Sequence, residues 1–145
     1  MKIEGKNILL ISPEAWGKNF VSKHHVAKYL SKYNQVYFLD PAIGSNKNPF
    51  GKLTVETEDI SDSLKVMRYK NLLPKLNDLP KSLQAKTYAK QAKQIQEIIE
   101  IDKFDFVWSF DPFRYWNLKW FVADHYVYHT VDVHFSKCFE DCCSF

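Results

Sequence analysis
Asp132 and His134 stand two positions apart in the run Val127–His134 (VYHTVDVH), which joins a carboxylate to an imidazole at the end of an apolar stretch. The carboxylate accepts hydrogen bonds, and the imidazole can donate or accept through either ring nitrogen, so the pair suits a ligand hydroxyl. Asp132 has an equally simple structural use as the cap of a helix that follows. Asp111 ends a second apolar run, Phe104–Phe110, and either lines a cleft as a hydroxyl binder or caps a helix starting at Pro112, the second being favoured. Ser22, Lys23 and His24 open another helix, whose N-terminus suits an anionic group such as a diphosphate; Lys23 and His24 also read as an ordinary exposed helix face. Trp16 and Gly17 lie in the loop after the first apolar run, where glycine permits close backbone approach. His129 falls inside a strand and reads as a satisfied core residue.

These residues need elements to hold them. Asn7–Ser12 (NILLIS) is a fully apolar run, as a buried central strand requires. A helix follows from Asn19 or Ser22, with Val26, Tyr29, Leu30 and Tyr33 inward and Lys23, Lys28 and Lys32 mostly outward. Gln35–Leu39 is the second strand. Residues 42–62 are irregular, with a short extra strand expected at Lys52–Val55. Leu64–Tyr69 is the third strand of the sheet. The longest helix is expected over Pro80–Ile101, burying Leu83, Tyr88, Ala92, Ile95 and Ile99, with Lys86, Lys90, Lys93 and Glu97 on a solvated face. The stretch Phe104–His134 then reads as strand, helix (Phe113, Trp116 and Trp120 at helical spacing, ending at Ala123-Asp124-His125) and strand Tyr126–Val131. The two tryptophans read as core packing. The sum is an α/β domain, a Rossmann-like doubly wound parallel sheet of five main strands in the order 3-2-1-4-5. In such sheets ligands bind outside the carboxyl ends of the strands, where all of the residues above cluster.

Composition excludes several classes. The chain has 46% hydrophobic and 26% charged residues and a net charge of +3, ordinary for a globular domain and too mild for a nucleic-acid binder. No apolar run approaches the ~20 residues that span a bilayer, and Lys2, Glu4 and Lys6 interrupt any signal peptide, so the cytoplasm is the expected compartment. The loop SPEAWGKN carries one glycine in place of G-x-G-x-x-G, and neither a phosphate-binding loop nor a nucleophile elbow occurs. Cys138, Cys142 and Cys143 crowd into CFEDCCSF without zinc-ligand spacing, so no metal is expected. Residues 1–135 read as the domain and 136–145 as an atypical Cys-rich tail, expected to mark a truncated or frame-shifted end.

Asn7–Ser12, Trp16-Gly17 and NFVSKHHVAKYLSKYNQVYFLDP (Asn19–Pro41), followed by FDFVWSFDP (Phe104–Pro112) and VYHTVDVH (Val127–His134), resemble the N-terminal domain of bacterial family-4-type glycosyltransferases of the GT-B fold. The resemblance extends to about Phe135 and rests on two separated segments in the right order. It implies an acceptor-binding half of a retaining, metal-independent enzyme of cell-surface polysaccharide or glycolipid synthesis. Its partners would be a sugar or lipid-linked sugar acceptor and a nucleotide-sugar. That donor would be a co-substrate held mainly by a C-terminal domain absent from this sequence, no other cofactor being needed. On this resemblance Asp132 orients the acceptor hydroxyl with help from His134, and Trp16 stacks on a sugar or closes the cleft wall. Gly17, Ser22, Lys23, His24 and Asp111 would also face the substrate. Basic residues of the first helix would give weak contact with the inner membrane surface. Alone, the domain would be inactive. The alternative reading is a non-catalytic flavodoxin-like or receiver-like binding module. Against the receiver form, Glu14 stands without an acidic neighbour and the third strand ends in Arg68-Tyr69-Lys70.

Overall fold
A computed structural model describes residues 4–16, 22–45 and 52–129, with the side chains of Ser22 and Lys23 outside what is described. The elements are β1 (Asn7–Ile11), α1 (Ser22–Ser31), β2 (Gln35–Leu39), β3 (Val55–Ser61), β4 (Leu64–Tyr69), α2 (Lys81–Ile98), β5 (Phe104–Ser109) and β6 (Ala123–Tyr128). They form an α/β domain around one six-stranded, mostly parallel sheet in the order β3-β4-β2-β1-β5-β6. The five parallel strands follow the order expected from sequence. β1 sits at the centre, with Ile8 to Ile11 fully buried because both faces are covered. On one face Leu9, Ile11, Leu39 and Met67 meet Tyr88, Ala92 and Ile95 of α2. On the other, Ile8, Leu10, Val36, Phe38 and Val66 meet Ala27 and Leu30 of α1.

The extra strand lies further along the chain than expected. It is β3, not Lys52–Val55, and it pairs antiparallel with β4, with a register shift between Asp59 and Ser61. Its sequence VETEDIS has no apolar alternation to reveal it, since nearly every residue is exposed. The expected helix between the last two strands is absent. The chain instead turns at Asp111, adopts a left-handed conformation at Tyr115 (φ 52°) and makes one 3-10 turn at Leu118–Trp120. The buried residues there are Arg114, Tyr115, Leu118 and Phe121, while Phe113 is 76% exposed and Trp116 and Trp120 are half-buried, so the residues at the expected helical spacing are not the ones turned fully inward. Ala123, Asp124 and His125, expected to close that helix, begin β6. Trp116 and Trp120 do pack on the core, edge to face 5.2 Å apart.

The inner face of α1 differs from the sequence reading, and that of α2 keeps Tyr88, Ala92 and Ile95 but adds glutamines. α1 buries His24, Ala27 and Leu30 and leaves Tyr29 and Tyr33 exposed, because the short Ala27 side chain lets the helix approach the sheet. α2 exposes Leu83 and buries Gln84, Gln91 and Gln96. These amides brace the loops that pack on the helix, whose backbone groups would otherwise lack partners. Gln84 donates to the carbonyls of Asn77 and Leu79, Gln91 accepts from the Leu72 N–H, and Gln94 accepts from the Leu53 N–H. Gln96 accepts from Val122 N–H at 2.7 Å and donates to the carbonyls of Ile101 and Val122. Lys86, Lys90, Lys93 and Glu97 face solvent as expected. No described helix is long and apolar enough to cross a membrane. Replacing Gln96 with Leu keeps the volume but strands buried backbone groups at the entries to β5 and β6. Urea denaturation should then show a loss of about 1–3 kcal/mol with an unchanged m-value; a variant as stable as the parent would refute the bracing role.

Candidate functional site
The carboxyl edge of the sheet is organised by a side chain that no motif marks. Arg114 is buried, and each of its five N–H groups has an acceptor. Nε donates to Asp111 Oδ2 at 3.3 Å. Nη1 donates to the Asp40 carbonyl at 2.9 Å and to the Tyr69 hydroxyl at 2.6 Å. Nη2 donates to the Ser12 carbonyl at 2.7 Å and, more weakly, to the Leu39 carbonyl at 3.5 Å. One guanidinium thus joins the ends of β1, β2, β4 and β5. It has no donor left for a ligand phosphate, so its role here is architectural. Burial disfavours its charge, but Tyr69, Tyr115 and Asp111 outweigh that and raise its pKa further, keeping it a cation.

Around it the edge is closed by local bonds. Ser12 and Ser109 end neighbouring strands in the same way, each hydroxyl donating to the carbonyl two residues on and accepting that residue's N–H. Asp111 Oδ1 accepts from the N–H groups of Phe113 and Arg114, a capping geometry applied to a turn instead of the expected helix. On the α1 side Asp40 accepts from the Trp16 N–H at 3.0 Å and pairs with Arg68 at 3.3 Å. Burial is the largest influence on Asp40 and holds its carboxyl above the usual range against the opposing pull of Trp16, Arg68 and Arg114. Two carboxylates, Asp40 and Asp111, therefore face two guanidiniums, and the cluster is neutral. Burial, with Tyr69 adding to it, also pushes the Tyr115 hydroxyl well above its ordinary value and Tyr88 up to about 12.

The sequence candidates fare unevenly. Asp132, His134 and Gly17 lie outside the described residues. Ser22 and Lys23 open α1, as expected. His24 is neither an exposed helix residue nor a placed anion ligand: it is fully buried, stacked on Phe38 at 5.3 Å, with Nε2 3.3 Å from the Ala15 carbonyl. Its contact with Phe38 draws the first turn of α1 onto the sheet. Trp16 is half-buried and packs edge-on against His24 and Phe38, so it forms the wall of the α1-side core instead of an open platform. Asp111 is buried with both oxygens engaged by Arg114 and the turn, which excludes the role of open hydroxyl binder. His129 sits just beyond β6, half-buried against Trp108 and Phe110, with its N–H on the Ser109 carbonyl. Arg114 and Asp40 carry no functional mark in the sequence, and Arg68 and Tyr69 read there only as the end of the third strand. The available signal was a lone arginine inside the aromatic stretch FDPFRYW, three residues after an aspartate.

Among the grooves on the described surface, two are wide enough for a small molecule. One of about 420 Å³ lies at this same carboxyl edge, between the loops after β2 and β4. The other, about 370 Å³ and lined by Ala89, Lys93, Trp120 and Val122, is at the opposite edge. Among the described residues no group of three or more His, Cys, Asp or Glu is arranged to hold a metal. Comparison of the chain with protein-family models and with curated proteins found no match to either.

Removing the hub should be costly. Arg114→Met leaves the Asp111 carboxylate buried without a counter-charge, and denaturant unfolding should show a loss of about 3–5 kcal/mol. The double variant with Asp111→Asn should recover part of that loss; a single variant within about 1 kcal/mol of the parent would remove Arg114 from its central place. Burial also lowers the His129 pKa below its ordinary 6.5. The fold therefore favours the neutral ring, so this contribution to stability is complete above pH 6.5 and declines as pH falls towards the folded-state value. An NMR titration midpoint for His129 at or above 6.5 would contradict this.

Proposed function
We propose that this chain is the acceptor-binding, Rossmann-like domain of a GT-B-type glycosyltransferase, a retaining nucleotide-sugar-dependent enzyme of cell-surface polysaccharide or glycolipid synthesis. The observation that carries this reading is the parallel strand order β4-β2-β1-β5-β6. Its order reverses beside β1, where α/β sheets bind their ligands, and the segments flanking that point are those that carry the resemblance. The same order counts against the flavodoxin-like alternative, which runs 2-1-3-4-5.

In this reading Asp132 and His134 orient and polarise the acceptor hydroxyl beyond β6. The nucleotide-sugar is held by a second domain across a cleft, in keeping with the absence of a dinucleotide fingerprint after β1. The neutral Asp40–Arg68–Asp111–Arg114 cluster supports a rigid floor to the acceptor side, not a phosphate site. Lys28 and Lys32, exposed beside the exposed rings of Tyr29 and Tyr33, support loose contact of α1 with an anionic inner leaflet. The enzyme would act in the cytoplasm at that surface.

Calorimetric titration of the chain separates the readings. A short polyprenyl-diphosphate-linked monosaccharide should bind, and a nucleotide-sugar such as UDP-glucose should bind far more weakly. Tight nucleotide or flavin binding with no affinity for the glycolipid would overturn the proposal in favour of a nucleotide-binding module.

A further inference from the structure
The groove between the loops after β2 and β4 is preorganised for hydrogen bonding. Ala42, Gly44 and Ser45 form one wall, and Asn71, Leu73, Lys75, Leu76, Asn77 and Asp78 form the other. The two walls are fixed to each other: Asn71 N–H donates to the Gly44 carbonyl at 2.9 Å and Ile43 N–H to the Tyr69 carbonyl at 2.9 Å. Its volume of about 420 Å³ lies within the roughly 300–1,000 Å³ of small-molecule sites.

The direction of its polar groups follows from Arg114. Arginine can only donate, so the Tyr69 hydroxyl accepts from it, and it accepts again from the Tyr115 hydroxyl at 3.0 Å. Tyr115 in turn accepts from Gln91 Nε2 at 3.1 Å. Gln91 must present that nitrogen, because its oxygen accepts the Leu72 N–H at 2.8 Å. The same nitrogen donates to Asn71 Oδ1 at 3.3 Å, so the remaining polar group of Asn71 is its NH2 donor. Asn77 is held likewise, its Oδ1 accepting from the Tyr88 hydroxyl at 3.2 Å, which leaves its NH2 as the second donor. Two amides in one groove are thus fixed through their oxygens by core side chains, with donors left over. Lys75 and Asp78 contribute one charge of each sign, so the groove has no net preference for an anion. Leu73, Leu76 and Ala42 supply apolar surface between the polar groups.

We infer that this groove is a saccharide subsite, taking a neutral sugar whose ring oxygens and hydroxyls accept from Asn71 and Asn77 and whose C–H face lies on Leu73 and Leu76. The choice of a sugar over other neutral polar ligands rests on the acceptor-side reading above. The test is heteronuclear NMR of the whole chain titrated with methyl glucoside, methyl galactoside, methyl mannoside and N-acetylglucosamine, with inorganic phosphate as the anionic comparison. At least one sugar should shift the side-chain amides of Asn71 and Asn77. Asn77→Ala should weaken that sugar roughly 3- to 10-fold, the range expected for one lost hydrogen bond. Leu73→Trp, which fills the groove without removing a polar partner, should abolish the shifts while thermal melting shows the fold intact. Binding that persists in both variants overturns the inference, as does a preference for phosphate or a failure of every sugar to bind. Shifts confined to Ser12, Ser109 and His129 would overturn the groove and leave the acceptor reading standing. Groove binding by a chain that ignores the polyprenyl-linked sugar would keep the groove and remove the transferase reading.

Discussion
The structure depends on one buried cation that holds together the ends of strands from four parts of the chain. At the carboxyl edge of this sheet the carbonyl groups of Ser12, Leu39 and Asp40 converge, and only that of Leu39 has a backbone donor from the neighbouring strand, the Ser12 N–H. Arg114 supplies the donors from a single planar group, which a lysine or an ordered loop backbone could not do in the same space. Its charge is balanced by Asp111 beside it, by the Tyr69 hydroxyl that accepts from it and by the Tyr115 ring 5.5 Å away. The neighbouring Asp40–Arg68 pair repeats the arrangement on the other face of the sheet. The carboxyl edge of the sheet therefore has a floor whose buried polar groups are already engaged in hydrogen bonds.

The segment between β5 and β6 reaches that floor without forming a helix. Asp111 accepts from the N–H groups of Phe113 and Arg114 in a tight turn, from which the guanidinium extends to the strand ends. The backbone is left-handed at Tyr115, and the side chains of Arg114 and Tyr115 are both buried. A strained residue is held in place by the contacts of its own ring, which packs against Tyr88 and Phe121.

How much of this could be read in advance varied with the kind of signal. β1 and β2 were legible as short apolar runs bounded by polar residues, and β4 and β5 as short β-branched and aromatic segments interrupted only by Lys65, Arg68 and Asp105. Their order in the sheet followed from the strand–helix alternation. The inner face of α2 was only partly legible: Tyr88, Ala92 and Ile95 stood out, but Gln84, Gln91 and Gln96 look like surface residues until their loop partners are known. Phe113, Trp116 and Trp120 have helical spacing, yet the segment is a turn at Asp111 followed by one 3-10 turn, with Phe113 exposed. At the carboxyl edge, residue type alone did not show which polar side chains are used by the fold. Asp111 and His24 are buried and bonded within the fold, Asp111 in the capping use its position favours, and Asn71 and Asn77 lie in a Pro- and Asn-punctuated connection that reads as plain loop.

The strand β3 bears on how this molecule behaves among copies of itself. The sheet interior is made of sequences such as NILLI and QVYFL, which would extend readily into a second molecule if a flat edge were offered to them. β3 closes that side with Glu56, Glu58 and Asp59 and with a shift of register before Ser61. An incoming strand would have to bring its own backbone against a row of like charges and across a kink that breaks the ladder. Its residues contribute little to the core, and their value lies in the assemblies they prevent: with β3 in place, the β4 side of the sheet ends where the chain ends it.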